Sequence, residues 1–168
     1  NLMGPSKEVS TKPNNNGSEG TPKEDRIETI TLMSVGDFLY HRPQTLKVPS
    51  EATGYDYYNN LQYVKPYLEK ADITFGNYET TSTLSREFLG YPMFNTPPES
   101  LDAIKDAGFD ILNTVNNHTL DSGKQGLIDT FHNIRNRGMK VVGTKIAPGD
   151  SVQVLVRKGI SVGFVGYT

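Results

Sequence analysis

PESLDAIKDAGFDILNTVNNH, residues 98–118, is the stretch from which the fold is read. Pro98 at a first-turn position, then Leu101, Ile104 and Ala107 at helical spacing with Gly108 just after them, predict a helix with a defined start and stop. Residues 109–115 (FDILNTV) are apolar and β-branched and predict a strand, which gives way to the polar Asn116-Asn117-His118. A helix that passes through a glycine into a strand ending at polar residues is one repeat of an alternating α/β chain.

Working outward, the same alternation recurs. Residues 29–35 (TITLMSV) predict a strand broken by Gly36-Asp37, and residues 73–76 predict a short strand ending at Asn77. Between them, residues 57–70 carry Tyr58, Leu61, Tyr67 and Leu68 at helical spacing with Pro66 inside, which predicts two short helices or one kinked helix. Residues 126–137 place Leu127, Phe131 and Ile134 on one face of a third helix that ends at Gly138. Strands are expected at 139–143, 152–157 and 162–167, the last two joined by a turn at Lys158-Gly159. The fold class expected is α/β: a mostly parallel sheet with flanking helices and right-handed crossovers, to which the final hairpin makes an antiparallel addition.

Residues 27–168 are thus one folded unit, whereas residues 1–26 (NLMGPSKEVSTKPNNNGSEGTPKEDR) differ in kind. They are dominated by Pro, Gly, Asn and Ser, bury too little to offset ordering entropy, and are expected to form a disordered polar arm. Such an arm suits a tether to a surface, and equally a trimmed terminus. The 168 residues carry 17 Lys+Arg against 19 Asp+Glu, a formal charge of −2, with both signs interspersed. That leaves no basic stripe, so nucleic acid is not an expected partner. The absence of cysteine excludes disulfides, thiolate metal sites and a cysteine nucleophile. No run approaches the roughly 18 apolar residues of a membrane span.

In open parallel sheets, ligands bind in the loops outside the carboxyl ends of the strands. The polar residues just after the first three strands are Asp37, then Asn77 and Glu79, then Asn116, Asn117 and His118, with Asp121 close behind. Together they form a set of oxygen and nitrogen donors suited to a divalent cation of the Mn, Fe or Zn type. Gathered carboxylates would raise one another's pKa, and a cation would relieve that. Each residue alone has an ordinary explanation. Asp37 fits a turn, Glu79 a solvated loop, the Asn pair left-handed turn positions, and His118 a half-buried histidine. Asp121 before Ser122-Gly123 is better placed to cap the third helix than to bind metal. One shared site explains all of them at once. His41, four residues beyond Asp37, is close enough to reach the same pocket, or is an exposed loop residue; His132, inside the third helix, is expected on the surface. Tyr55, Tyr57, Tyr58, Tyr63 and Tyr67 are expected to pack in the core and its rim rather than form a stacking platform. Gly36, Gly76 and Gly143 make no nucleotide-binding fingerprint.

The segments SVGDFLYHR (34–42), KADITFGNYET (70–80), DAGFDILNTVNNHTLDSGKQGLIDT (106–130) and VGFVGYT (162–168) resemble, in that order, the bacterial capsule-synthesis proteins of the CapA type. That family is linked to poly-γ-glutamate capsule production, and the resemblance implies the N-terminal part of a metallophosphoesterase-like four-layer α/β sandwich. It implies metal-binding roles for Asp37, Glu79 and Asn117, with Asn77 beside Glu79, and a proton-donating or charge-stabilising role for His118. It also implies a shell for one or two divalent ions. His41 stands too far along to match a strict Asp-x-His motif. Family members continue with histidine-bearing segments, so the remainder of the domain is expected as a separate or cleaved chain that pairs with this one.

The function expected is capsule-polymer biosynthesis with a metal-dependent, phosphoesterase-like hydrolase site. The alternative is a non-catalytic component of a capsule assembly or export complex that uses the same fold as a scaffold. A plain sugar- or peptide-binding module without metal is a weaker third option, against which the Asn-Asn-His cluster argues. Expected partners are the capsule polymer or its precursor and a capsule-synthesis membrane complex. The expected location is extracytoplasmic, at the cell surface, membrane-tethered in the full-length protein.

Overall fold

The computed structural model describes residues 26–45, 49–50, 54–150 and 152–168; the arm expected over 1–26 lies, apart from Arg26, outside the described residues. Strand β1 (Leu32–Phe38) leads through a one-turn helix α1 (Arg42–Thr45) and the two-residue strands β2 (Pro49–Ser50) and β3 (Gly54–Tyr55). Two further one-turn helices, α2 (Tyr58–Leu61) and α3 (Lys65–Leu68), precede β4 (Ile73–Tyr78). Helix α4 (Glu99–Asp106), β5 (Ile111–Asn113), α5 (Gly123–Asn136) and β6 (Lys140–Val142) follow, then β7 (Val152–Arg157) and β8 (Ile160–Val165). Strands β1, β4, β5 and β6 form one sheet in that order, with every pair parallel. The α/β class is therefore as the alternation implies.

Successive strand residues face opposite sides, and each side of the sheet has its own apolar cluster. On one side Tyr78, Leu112 and Val141 meet Leu101, Ile104, Phe131 and Ile134 from α4 and α5. On the other, Ile73, Ile111 and Val142 meet Leu155, with Phe75, Val162 and Phe164 packed around them. Gly76 lies close against the first cluster: a Cβ there would sit 2.8 Å from the Phe38 ring and 2.9 Å from that of Phe109. Arg137 of the α5 terminus bridges to Asp102 of α4 through Nε and Nη2 at 2.6 and 3.0 Å, which fixes the two helices relative to each other.

Several local expectations are corrected. The hairpin of β7 and β8 does not extend the parallel sheet but forms its own two-stranded sheet. It lies across the second face, where Phe164 stacks on Phe75 at 5.6 Å, because that face is apolar and covering it removes more oily surface from water than pairing at an edge. Its turn has Lys158 and Gly159 both at positive φ, 49° and 80°, the geometry that matches strand twist in a two-residue hairpin. Arg157 reaches Asp110 Oδ1 at 3.0 Å, and Lys158 reaches Asp72 Oδ1 at 2.9 Å, so the turn is clamped to the sheet. Gly36-Asp37 does not break β1, which runs to Phe38 with a register shift between Ser34 and Asp37, and β4 continues past Asn77 to Tyr78. Continuing the ladder satisfies backbone groups that a loop would leave to water. The segment 57–70 makes two short helices, the first of the two forms expected of it, each too short to turn a full apolar face inward, so the tyrosines do not all pack in the core. Tyr57 and Leu68 are buried, while Tyr58, Tyr63 and Tyr67 are exposed.

Candidate functional site

The strand register builds the site. Asp37 pairs with Asn77 across β1 and β4, and Asn77 pairs with Asn113 across β4 and β5. Residues in register on neighbouring parallel strands carry their side chains on the same face, so three polar groups stand in a row near the carboxyl ends of the strands. Asn113 Nδ2 donates to Asn77 Oδ1 at 2.8 Å, and Asn77 Nδ2 donates to Asp37 Oδ1 at 2.8 Å. The same Asn77 nitrogen donates to Glu79 Oε2 at 2.9 Å. One carboxamide thus holds two carboxylates against each other.

The loop after β5 completes the cluster. Asn116 Nδ2 donates to Asn77 Oδ1 at 3.3 Å and to the Tyr78 carbonyl at 3.1 Å, while Asn116 Oδ1 accepts the His118 backbone N–H at 3.0 Å. Asn77 and Asn116 therefore have their amide groups engaged in holding neighbours. Asn117 is exposed, and its side chain makes no hydrogen bond among the described residues. His118 Nδ1 lies 2.7 Å from Asp121 Oδ2, which also accepts the Phe94 backbone N–H at 2.6 Å. A carboxylate only accepts, so Nδ1 carries the proton and Nε2 is the nitrogen left for chemistry. Asp121 is consequently not the cap of α5: the N-cap position is Ser122, with no side-chain cap bond, because the Asp121 carboxylate is drawn to His118 and Phe94. The exposed His41 packs its ring edge-on to Phe94 at 5.1 Å, and Phe94 packs on His118 at 4.7 Å. His132 is exposed, as expected.

The electrostatics follow from this crowding. The Glu79 carboxyl is pushed above its ordinary value, chiefly by burial and then by the charge of Asp37, with His118 pulling partly the other way. Two carboxylates steadied by neutral amides are better suited to a positive charge than to each other. Asp37 and Glu79 bring carboxylate oxygens together with an imidazole nearby, donor types suited to a divalent cation, while the exposed Asn117 carboxamide makes no hydrogen bond to them among the described residues. Among the described residues no three His, Asp or Glu side chains gather as a metal-binding group, so a cation held by the two carboxylates would need a further ligand. Asn113, Phe94 and the role of Asp121 escaped the sequence reading. The register of Asn113 with Asn77 and the three-residue spacing from His118 to Asp121 were the signals available.

The comparisons with known proteins agree with this architecture. The family model of the bacterial capsule synthesis protein PGA_cap matches residues 31–168. The PGA biosynthesis protein CapA of Bacillus subtilis (strain 168) is 27% identical over 160 residues, covering 90% of this chain and 41% of that protein. The capsule biosynthesis protein CapA of Bacillus anthracis is 28% identical over 154 residues, covering 87% of this chain and 36% of that protein. An uncharacterized protein of Sinorhizobium fredii, y4sH, is 30% identical over 127 residues, 71% of this chain and 26% of its own length. The chain thus spans about two fifths or less of each of these relatives. The family's fold is metallophosphoesterase-like, in keeping with the mostly parallel sheet and its flanking helices. With a match that takes in every strand of that sheet and the whole polar row, the chain belongs to the family of bacterial capsule synthesis proteins.

Proposed function

We propose that this chain carries a metal-dependent hydrolase site that acts on a phosphoester or γ-linked amide in capsule-polymer production. The observation that carries the reading is the Asp37–Asn77–Glu79 contact, two carboxylates held on one amide nitrogen beside a histidine oriented by Asp121. Asp37, Glu79 and Asn117 would hold a Mn, Fe or Zn ion, and the resemblance to metallophosphoesterases allows for a second. Such an ion, when bound, polarises the scissile group and lowers the pKa of attacking water. Asn77 and Asn116 keep the ligands in place. In its doubly protonated form His118 donates Nδ1–H to Asp121 and would give the Nε2 proton to the leaving group.

The test is turnover of a generic phosphodiester and of a γ-linked glutamate oligomer, with and without added Mn²⁺. The expected result is Mn²⁺-dependent turnover that Glu79→Gln abolishes and His118→Ala lowers by about 10²–10⁴-fold. Full activity in Glu79→Gln would overturn the proposal. Metal binding without turnover of either substrate would favour a non-catalytic component of capsule assembly built on the same pocket.

A further inference from the structure

Next to the site lies a cleft of about 460 Å³, between His41, Arg42 and Pro43 on one side and Arg86 with residues 89–93 on the other. Its lining is of two kinds. Arg42 and Arg86 are its basic residues, and Leu89, Tyr91 and Met93 are its apolar ones, with Tyr91 77% exposed. The Arg42 side chain makes no hydrogen bond or ion pair among the described residues. Arg86 donates Nη1 to the backbone carbonyl of Asp121 and meets no carboxylate among them. Arg137 and Arg157, by contrast, are ion-paired to Asp102 and Asp110.

The cleft is a built feature of the fold. Gly90 rests on the backbone of His41 and Arg42 so closely that a Cβ would lie 2.5 Å from the Arg42 nitrogen. The buried Asn95 donates Nδ2 to the carbonyls of Arg86 and Glu87 at 3.1 and 3.2 Å, which fixes the far wall. The cleft is also joined to the site at two points. His41 contacts Phe94, which contacts His118, and Arg86 is anchored on the backbone of the residue whose carboxylate holds that histidine.

We infer that this cleft is an anion subsite in which Arg42 and Arg86 hold a carboxylate, or a phosphate of like chemistry, borne on an aliphatic stem next to His118. The inference rests on the hydrolase reading for what the anion belongs to, and deepens it. Two guanidiniums that meet no carboxylate among the described residues match an oxyanion, since each offers a planar fork of donors. The apolar wall matches methylenes rather than water, and so favours a carboxylate on an alkyl chain over a bare phosphate. A γ-linked acidic peptide has that alternation of methylene stems and carboxylates. The site's own carboxylates, Asp37 and Glu79, would repel such a group, which therefore settles in the basic cleft while the linkage to be cut lies toward His118.

The experiment measures binding of a fluorescently labelled γ-linked glutamate oligomer to the whole chain by anisotropy, in EDTA so that no cation in the Asp37–Glu79 site contributes. Arg42→Ala is the primary variant because the Arg42 side chain makes no hydrogen bond or ion pair among the described residues. The expected result is saturable, salt-sensitive binding, weakened about tenfold or more by Arg42→Ala and further by Arg42→Glu, and unchanged by Arg135→Ala on the exposed side of α5. Arg86→Lys should also weaken it, as the charge remains but the fork is lost. Inorganic phosphate and a methyl-esterified oligomer serve as the other probes. Binding of inorganic phosphate by calorimetry that Arg42→Ala abolishes, with no binding of either oligomer, would keep the anion subsite and assign it to phosphate. Binding of the esterified oligomer as tightly as the acidic one, no binding of any probe, or equal effects of Arg42→Ala and Arg135→Ala would overturn the inference. Oligomer binding that depends on Arg42, in a protein that hydrolyses nothing with Mn²⁺, would overturn the hydrolase reading and leave the subsite standing. Turnover whose KM ignores Arg42 would do the reverse.

Discussion

Glu79 is ionised at a cost. Its carboxyl is raised first by burial and then by Asp37, so the folded protein binds that proton more tightly than the unfolded chain does. As pH rises from the ordinary glutamate range through the raised value, the unfolded state gives up its proton first and folded stability falls. Above that window the loss is complete. Glu79→Gln should therefore melt at a higher temperature than the wild-type protein at pH 7 when metal-free, with the gain disappearing below about pH 4. Thermal unfolding across pH measures this directly. Added Mn²⁺ should reverse the ranking, since a ligand at 100 times its Kd stabilises the wild-type protein by about 2.7 kcal/mol and has little to bind in the variant. Asp121 offers a separate check on His118. Asp121→Asn keeps an oxygen to accept the Phe94 N–H but no longer fixes which imidazole nitrogen carries the proton. Turnover should drop by about 10–100-fold while the melting temperature moves little.

Among the elements, the parallel strands do the positioning. The sheet edge that would carry the site was legible because each apolar run of 29–35, 73–76 and 109–115 yields to polar residues, and parallel strands put those endings on one side. Asn113 was not legible: a single amide within FDILNTV resembles a tolerated polar residue, and only its register with Asn77 gives it a partner. Asp121 was misassigned because an acid just before Ser122-Gly123 fits a helix cap as well as a histidine partner. Phe94, Asn95 and Arg86 lie in a loop without periodicity, where tertiary hydrogen bonds decide the path and no local pattern announces them. That loop has its own test. Asn95 Oδ1 accepts the Thr83 N–H at 3.0 Å and its Nδ2 reaches three carbonyls, so Asn95→Ala should lower stability by about 1–3 kcal/mol in denaturant titration and disorder the cleft wall. In β4, Gly76→Ala forces a methyl between the Phe38 and Phe109 rings and should cost about 1–3 kcal/mol by the same measurement.

At the scale of the whole molecule, the sheet divides its labour between faces and along its length. One face is closed by α4 and α5, the other by the hairpin, and the polar row occupies what the hairpin leaves at the carboxyl ends of the strands. The clamp at the hairpin turn rests on Asp110, which accepts the Thr74 N–H at 3.0 Å through Oδ2 while pairing with Arg157 through Oδ1. Asp110→Ala removes both bonds and should lower global stability by about 1–3 kcal/mol.

Because β7 and β8 share no backbone ladder with the four parallel strands, lifting the hairpin would break side-chain contacts and leave the main sheet zipped. Gly166, just beyond β8, lies against Asn113 Oδ1, and each lifting would wet the amide that begins the chain Asn113 to Asn77 to Asp37. The end of the hairpin would thus keep water from one end of the polar row while supplying neither a ligand nor an acid to it.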